Sequence, residues 1–147
     1  MLFGPAPVMG GYFIQTGIFP DFKSFLLSLP FGMFTTAILF ANEVPDFADD
    51  QKAGKNTWVS LIGPQNCFIF YYFLIFSGFF LILLNVLFAF LSPFALFTFF
   101  FVIPALQAAQ IIKKSFENKT ELIKSSKLTI MVQNLVAVCL VLVILFS

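Results

Sequence analysis

Residues 67–90 read CFIFYYFLIFSGFFLILLNVLFAF, an unbroken apolar run without a single charged side chain. Strands of a membrane β-barrel alternate with a period of two over about ten residues. This run does not alternate, and about 20 apolar residues in a helix cross a hydrocarbon core of ~30 Å. It therefore reads as a transmembrane helix. Working outward, four more apolar stretches have the same character, at roughly 2–19, 25–41, 94–112 and 128–146. The expected fold is all-α: a multi-pass transmembrane helix bundle of about five spans, forming one domain over residues 1–147. The stretch at 2–19 is the most broken, with Gly4, Pro5, Pro7, Gly10 and Gly11 at its start and Gln15-Thr16 inside it. It reads as the latter part of a helix packed inside a bundle, where small residues allow close approach.

Composition agrees. Of 147 residues, 60% are hydrophobic and 10% charged, with a mean hydropathy of +0.99. A soluble domain carries about 25% charged residues, so a soluble globule is excluded. A net charge of +1 and two cysteines also exclude disorder, nucleic-acid binding and a secreted disulfide scaffold. There is no histidine, which removes Ser-His-Asp catalysis and His-type zinc sites. Cys67 and Cys139 sit in or beside apolar spans and read as free packing thiols.

All eight basic residues are lysines. Alternating spans place 42–66 and 113–127 on one side of the bilayer, with Lys52, Lys55, Lys113, Lys114, Lys119, Lys124 and Lys127. The opposite side has only Lys23. The positive-inside rule then predicts that both long loops are cytoplasmic. The lysine cluster at 113–127, interleaved with Glu117 and Glu121, reads chiefly as a solvated surface.

The acids are more informative. Four of the seven fall in Asn42-Glu43-Val44-Pro45-Asp46-Phe47-Ala48-Asp49-Asp50. Asn42, Asp46 and Asp50 are spaced by four, so a helix places them on one face. Like charges at that spacing repel unless a cation lies between them, and Mg²⁺ is commonly held by one or two carboxylates while water and phosphate oxygens fill its other positions. Pro45 is expected either to start a short helix at Asp46 or to kink the second span. Gly54 permits a sharp turn that would bring Lys52 and Lys55 beside the carboxylates. The segment is neither a Walker loop nor an EF-hand, since their glycine and acid spacings are absent.

Asn42-Glu43-x-Pro45-Asp46-x-x-x-Asp50-x-x-x-Gly54-Lys55-x-Thr57 resembles the second aspartate-rich motif of the UbiA superfamily of membrane prenyltransferases. Gly4-Pro5 followed by Gly10, Tyr12, Gln15, Thr16 and Gly17 is similar to a segment one helix earlier in the branch that prenylates dihydroxynaphthoate for menaquinone. The resemblance implies the fifth to ninth helices of a nine-helix bundle. It also implies Mg²⁺-dependent transfer of a polyprenyl group from its diphosphate to an aromatic or other lipophilic acceptor. On that reading Asp46 and Asp50 are metal ligands, Asn42, Lys52 and Lys55 contact the diphosphate, and Tyr12, Gln15 and Thr16 are pocket residues. The family's first aspartate-rich motif has no counterpart, because Asp21 is the one acid before Glu43. The chain thus resembles a C-terminal half, expected to be inactive without a separate N-terminal half. The alternatives are a non-enzymatic cation-binding membrane protein or accessory subunit, and a degenerate remnant.

Overall fold

The computed structural model describes residues 3–116 and 118–146, so the expectation attached to Glu117 lies outside the described residues. Every regular element among the described residues is helical: α1 (Pro5–Thr16), α2 (Phe22–Lys52), α3 (Trp58–Ile62), α4 (Cys67–Leu87), α5 (Val102–Lys114) and α6 (Lys119–Leu145). Short 3₁₀ stretches at Pro64–Asn66 and Pro93–Phe101 lead into α4 and α5. Among the described residues, four helical segments are long and apolar enough to cross a membrane: Phe22–Lys52, Pro64–Leu87, Pro93–Lys114 and Lys119–Leu145. The all-α transmembrane bundle is as expected, and four of the five apolar stretches lie in these long helices among the described residues. The first apolar stretch forms a helix of 12 residues with none buried, rising about 18 Å. It stops where Gly17 adopts φ +69° and its N–H bonds Phe13 O at 2.8 Å.

A correction concerns α2 and the loop expected from residue 42. Its start is fixed by Asp21, whose carboxylate accepts from Ser24 N–H and Ser24 Oγ, both at 2.8 Å. Those bonds, the backbone one first, hold the Asp21 carboxyl below its usual range. The capping contribution is therefore complete above the ordinary aspartate value and is lost as pH falls through the depressed one. From there the helix runs for 31 residues through both Pro30 and Pro45, rising about 46 Å against a core of about 30 Å. The acidic run is thus not a loop. It forms the final turns of α2, which project past the apolar part of the span.

The bundle closes as a ring in which α2 packs on α4 and α6, and α5 packs on α4 and α6; α1 rests on α2. Lipid tails offer no hydrophobic drive between helices, so close packing and interhelical hydrogen bonds must hold the seams. Small residues supply the closeness. Ala37 and Ala41 on α2 and Ala105, Ala108 and Ala109 on α5 are fully or almost fully buried. Against them α6 sets Ser125, whose Oγ donates to Ala108 O at 2.9 Å, and Ser126, whose Oγ donates to Ala41 O at 2.6 Å. Mid-span, Tyr71 of α4 bonds Thr129 of α6 at 2.7 Å, and Gln133 Nε2 donates to Thr35 of α2 at 3.1 Å.

The Tyr71–Thr129 bond is short and buried, yet interhelical hydrogen bonds in membranes average only about 0.6 kcal/mol. Tyr71→Phe should therefore lower stability by about that much, read by denaturant titration of helicity in detergent, because the ring itself still packs.

The 3₁₀ stretch at Pro93–Phe101 is long for its kind. It gives way to α5 just before Pro104, which cannot donate to the carbonyl four residues earlier and whose ring crowds it. Most phenylalanines of this half, including Phe73, Phe76 and Phe80 on α4 and Phe94, Phe97 and Phe100 in the 3₁₀ stretch, are more than half exposed and face outward. Both cysteines are free.

Candidate functional site

Among the described residues, the last turns of α2 and the first residue of α6 build the one concentration of ion pairs that links separate elements. Asp50 is the most sheltered carboxylate there, with a side chain 18% exposed against 60% for Asp46 and 64% for Asp49. Its partner arrives by the turn expected from Gly54. That glycine has φ +68°, Lys55 N–H bonds Asp50 O at 3.0 Å, and Lys55 Nζ then meets Asp50 Oδ1 at 2.9 Å. The hydrogen bond to Asp50 raises the Lys55 ammonium above its ordinary value. Whatever this pair contributes is complete below the ordinary lysine range and fades only as pH rises through the raised value.

The second cation is one the sequence reading passed over. Lys119, at the start of α6, places Nζ 2.8 Å from Asp49 Oδ2 and 3.5 Å from Asp46 Oδ1. Nothing local signals this, because the partners are 70 residues apart. Within the expected lysine cluster, Lys119 is therefore a tie between helices. Lys52 is exposed and makes no ion pair among the described residues, and Asn42 is exposed without a side-chain hydrogen bond among them.

Glu43 is engaged by a different partner. Its Oε1 accepts the Val59 N–H at 2.7 Å, adding to a capping box in which Thr57 and Ser60 exchange bonds. The carboxylate thereby docks α3 across α2.

Tyr12, Gln15 and Thr16 are not brought to this cluster. Tyr12 shares a cavity with Asp21, Lys23 and Leu27 at the opposite end of α2. Gln15 is exposed, and the Thr16 hydroxyl is spent on Tyr12 O at 2.8 Å.

Among the described residues no group of three or more acidic or cysteine side chains is placed to hold a metal ion. That does not fit an all-protein cage. Two carboxylates one helical turn apart, each facing a lysine, do fit an ion that takes its remaining oxygens from a phosphorylated substrate. Asp46 and Asp50 would hold it, with the Asn42 amide on the same helix face.

The UbiA prenyltransferase family matches residues 1–131, which include all of α2 and the Lys119 tie. The chain belongs to the UbiA prenyltransferase family. Among relatives, human UbiA prenyltransferase domain-containing protein 1 is 39% identical over 74 residues, covering 50% of this chain and 22% of the human protein. The rat protein of the same name is 38% identical over 74 residues, with the same coverage. The Dictyostelium discoideum one is 31% identical over 71 residues, covering 48% of this chain and 21% of its own. The matched segment thus spans about a fifth of these UbiA relatives. No solved structure matches the chain.

Proposed function

We propose that this UbiA-family chain supplies one diphosphate-holding wall of a Mg²⁺-dependent prenyltransferase, which moves a polyprenyl group from its diphosphate to an aromatic acceptor. Dihydroxynaphthoate is the first candidate acceptor, by the glycine-tyrosine-glutamine segment of α1, and menaquinone synthesis is the corresponding process. The observation that carries the reading is the pairing of Asp46 and Asp50 with two lysines from different elements, Lys119 and Lys55. Such a site offers both carboxylates for a cation and ammonium groups for phosphate oxygens.

The side chains divide the work. Asp46 and Asp50 hold the cation, Lys55 and Lys119 turn from the carboxylates to the phosphate oxygens, and Asn42 and Lys52 lie within the same end of α2. A bound Mg²⁺ would neutralise charge growing on the departing diphosphate. The apolar spans exclude water from an allylic cation. The loop Ala53–Thr57 and the turn between α5 and α6 face the cytoplasm in this reading, by the lysine asymmetry.

The counterpart of the family's first aspartate-rich motif is not found within residues 1–147, so on this reading turnover requires those further ligands beside this segment. Calorimetric titration of the purified chain with a non-reactive prenyl thiolodiphosphate tests the reading. Saturable binding is expected with Mg²⁺ and little with EDTA. Equal binding in both would count against the site, and turnover by the 147-residue chain alone would overturn the requirement for a second segment.

A further inference from the structure

At the lysine-rich end of the bundle, α5 and α6 border a groove of about 360 Å³ lined by Gln107, Gln110, Ile111, Lys114, Ser115 and Leu128. Gln107, Gln110 and Lys114 are exposed and stand at i, i+3 and i+7, so they form one line along α5. Ile103, 62% exposed, extends that line one turn toward the bilayer interior. The seam between the two helices is closed by another group, Ser125, whose Oγ donates to Ala108 O. Among the described residues, the side chains of Gln107, Gln110, Lys114 and Ser115 take no part in a hydrogen bond, and no carboxylate pairs with Lys114. The neighbouring Lys113 is engaged elsewhere, with Nζ over the Phe68 ring at 5.0 Å from its centroid.

Depth makes the two amides unusual. Lys114 ends the apolar segment Pro93–Lys114, and helix rise sets Gln110 about 6 Å and Gln107 about 10 Å further in. The interfacial layer of one leaflet is only about 5–8 Å thick. Gln107 therefore stands at the edge of the hydrocarbon, where an amide without partners is costly. The dipole at a helix C-terminus accounts for a lysine in the last turn, but not for amides on the same line beneath it.

We propose that this groove holds one anionic diacyl phospholipid. Its phosphate sits on the Lys114 ammonium and the Ser115 hydroxyl, its glycerol ester carbonyls accept from the Gln110 and Gln107 amides, and an acyl chain runs along Ile111 and Leu128. The groups along α5, from ammonium through two amides to apolar side chains, follow the order of such a lipid, from phosphate through two esters to hydrocarbon. Basic pockets between membrane helices are suited to anionic headgroups. A choline headgroup adds a cation that needs a carboxylate or an aromatic face, and the lining has neither. The groove shares no lining residue with the acidic cluster, so the assignment is independent of the prenyl-transfer reading.

Native mass spectrometry of the full chain released from detergent micelles counts retained lipids directly. With equal phosphatidylglycerol and phosphatidylcholine, one phosphatidylglycerol is expected to stay bound, about 10-fold tighter than phosphatidylcholine, the scale of one hydrogen bond to a charged group. Lys114→Met should abolish that preference. Lys127→Met, which removes an exposed lysine outside the groove lining, should keep it. Gln107→Leu/Gln110→Leu should weaken both lipids alike, because both carry the same esters. Equal retention of the two lipids or an equal loss in Lys127→Met would overturn the proposal. Displacement by glycerol 1-phosphate at the lipid's own concentration would overturn it too, by showing a phosphate site without lipid recognition. The two-lipid competition on the unaltered chain needs no variant, so it decides the matter even if Lys114→Met fails to fold.

Discussion

Replacing Asp46 and Asp50 together by asparagine is expected to weaken Mg²⁺-dependent binding of a prenyl thiolodiphosphate by more than about 100-fold. Removing groups that merely orient metal ligands already costs 10–100-fold, and here the proposed ligands themselves lose their charge. The amides keep the size of the carboxylates and the spacing of four, so the shape of α2 is retained. The partners Lys55 and Lys119 have largely exposed side chains, at 66% and 53%, and exposed ion pairs contribute little to stability. The variant should therefore show unchanged helicity and unchanged denaturation in detergent while losing calorimetric binding. Retained binding would remove Asp46 and Asp50 from the site. Lys119→Met is a milder companion: it cuts the tie between α6 and α2 and should weaken the analogue without abolishing its Mg²⁺ dependence.

The second large effect is on stability, and two glycines show how position decides it. A Cβ on Gly78 would stand 2.9 to 3.1 Å from three atoms of the Phe34 ring. Phe34 is 2% exposed and is held by Phe79 in an edge contact at 5.1 Å, so the ring has nowhere to go. Gly78→Ala should destabilise the bundle by about 1–3 kcal/mol, the usual cost of an added methyl in a packed core.

At Gly4 the clash is worse, 2.4 Å from both Gly32 N and Ser28 O, and it is against backbone. The outcome is nevertheless expected to be local. None of the α1 residues is buried, so α1 can lift away from α2 at little cost to the rest. Gly4→Ala should raise hydrogen exchange and protease cleavage over residues 5–16 while the denaturation midpoint of α2–α6 stays nearly constant. A global loss at Gly4, or none at Gly78, would show that the α1–α2 and α2–α4 seams are not weighted as described.

The four long spans were legible because each contains a long, continuously apolar stretch, and hydropathy reports that property directly. The weak first stretch was legible only as apolar. Its division by Gly17, whose left-handed backbone closes α1 at Thr16, is a local conformational event that hydropathy does not register. Of the two outcomes expected at Pro45, a new short helix is not formed and the second span carries on through it. A proline inside a helix removes one hydrogen bond, and α2 continues through it with Ala41 and Val44, either side of it Phe40 and Phe47, packed into the bundle core.

The sequence by itself determined that this is a helical membrane protein, that its acids gather at one place, and that Asn42, Asp46 and Asp50 share a helix face. Those follow from composition and from a period of 3.6. Only the tertiary structure decided which cations meet those acids, that Lys119 comes from α6, and that Glu43 accepts the Val59 N–H at the start of α3. It also placed Tyr12, Gln15 and Thr16 away from the acidic end. Such pairings depend on which helices lie side by side. Here that is set by small residues such as Ala41, Ala108 and Ser126 fitting closely across the seams, and a contact between residues so far apart in the chain leaves no mark in the local pattern of either partner.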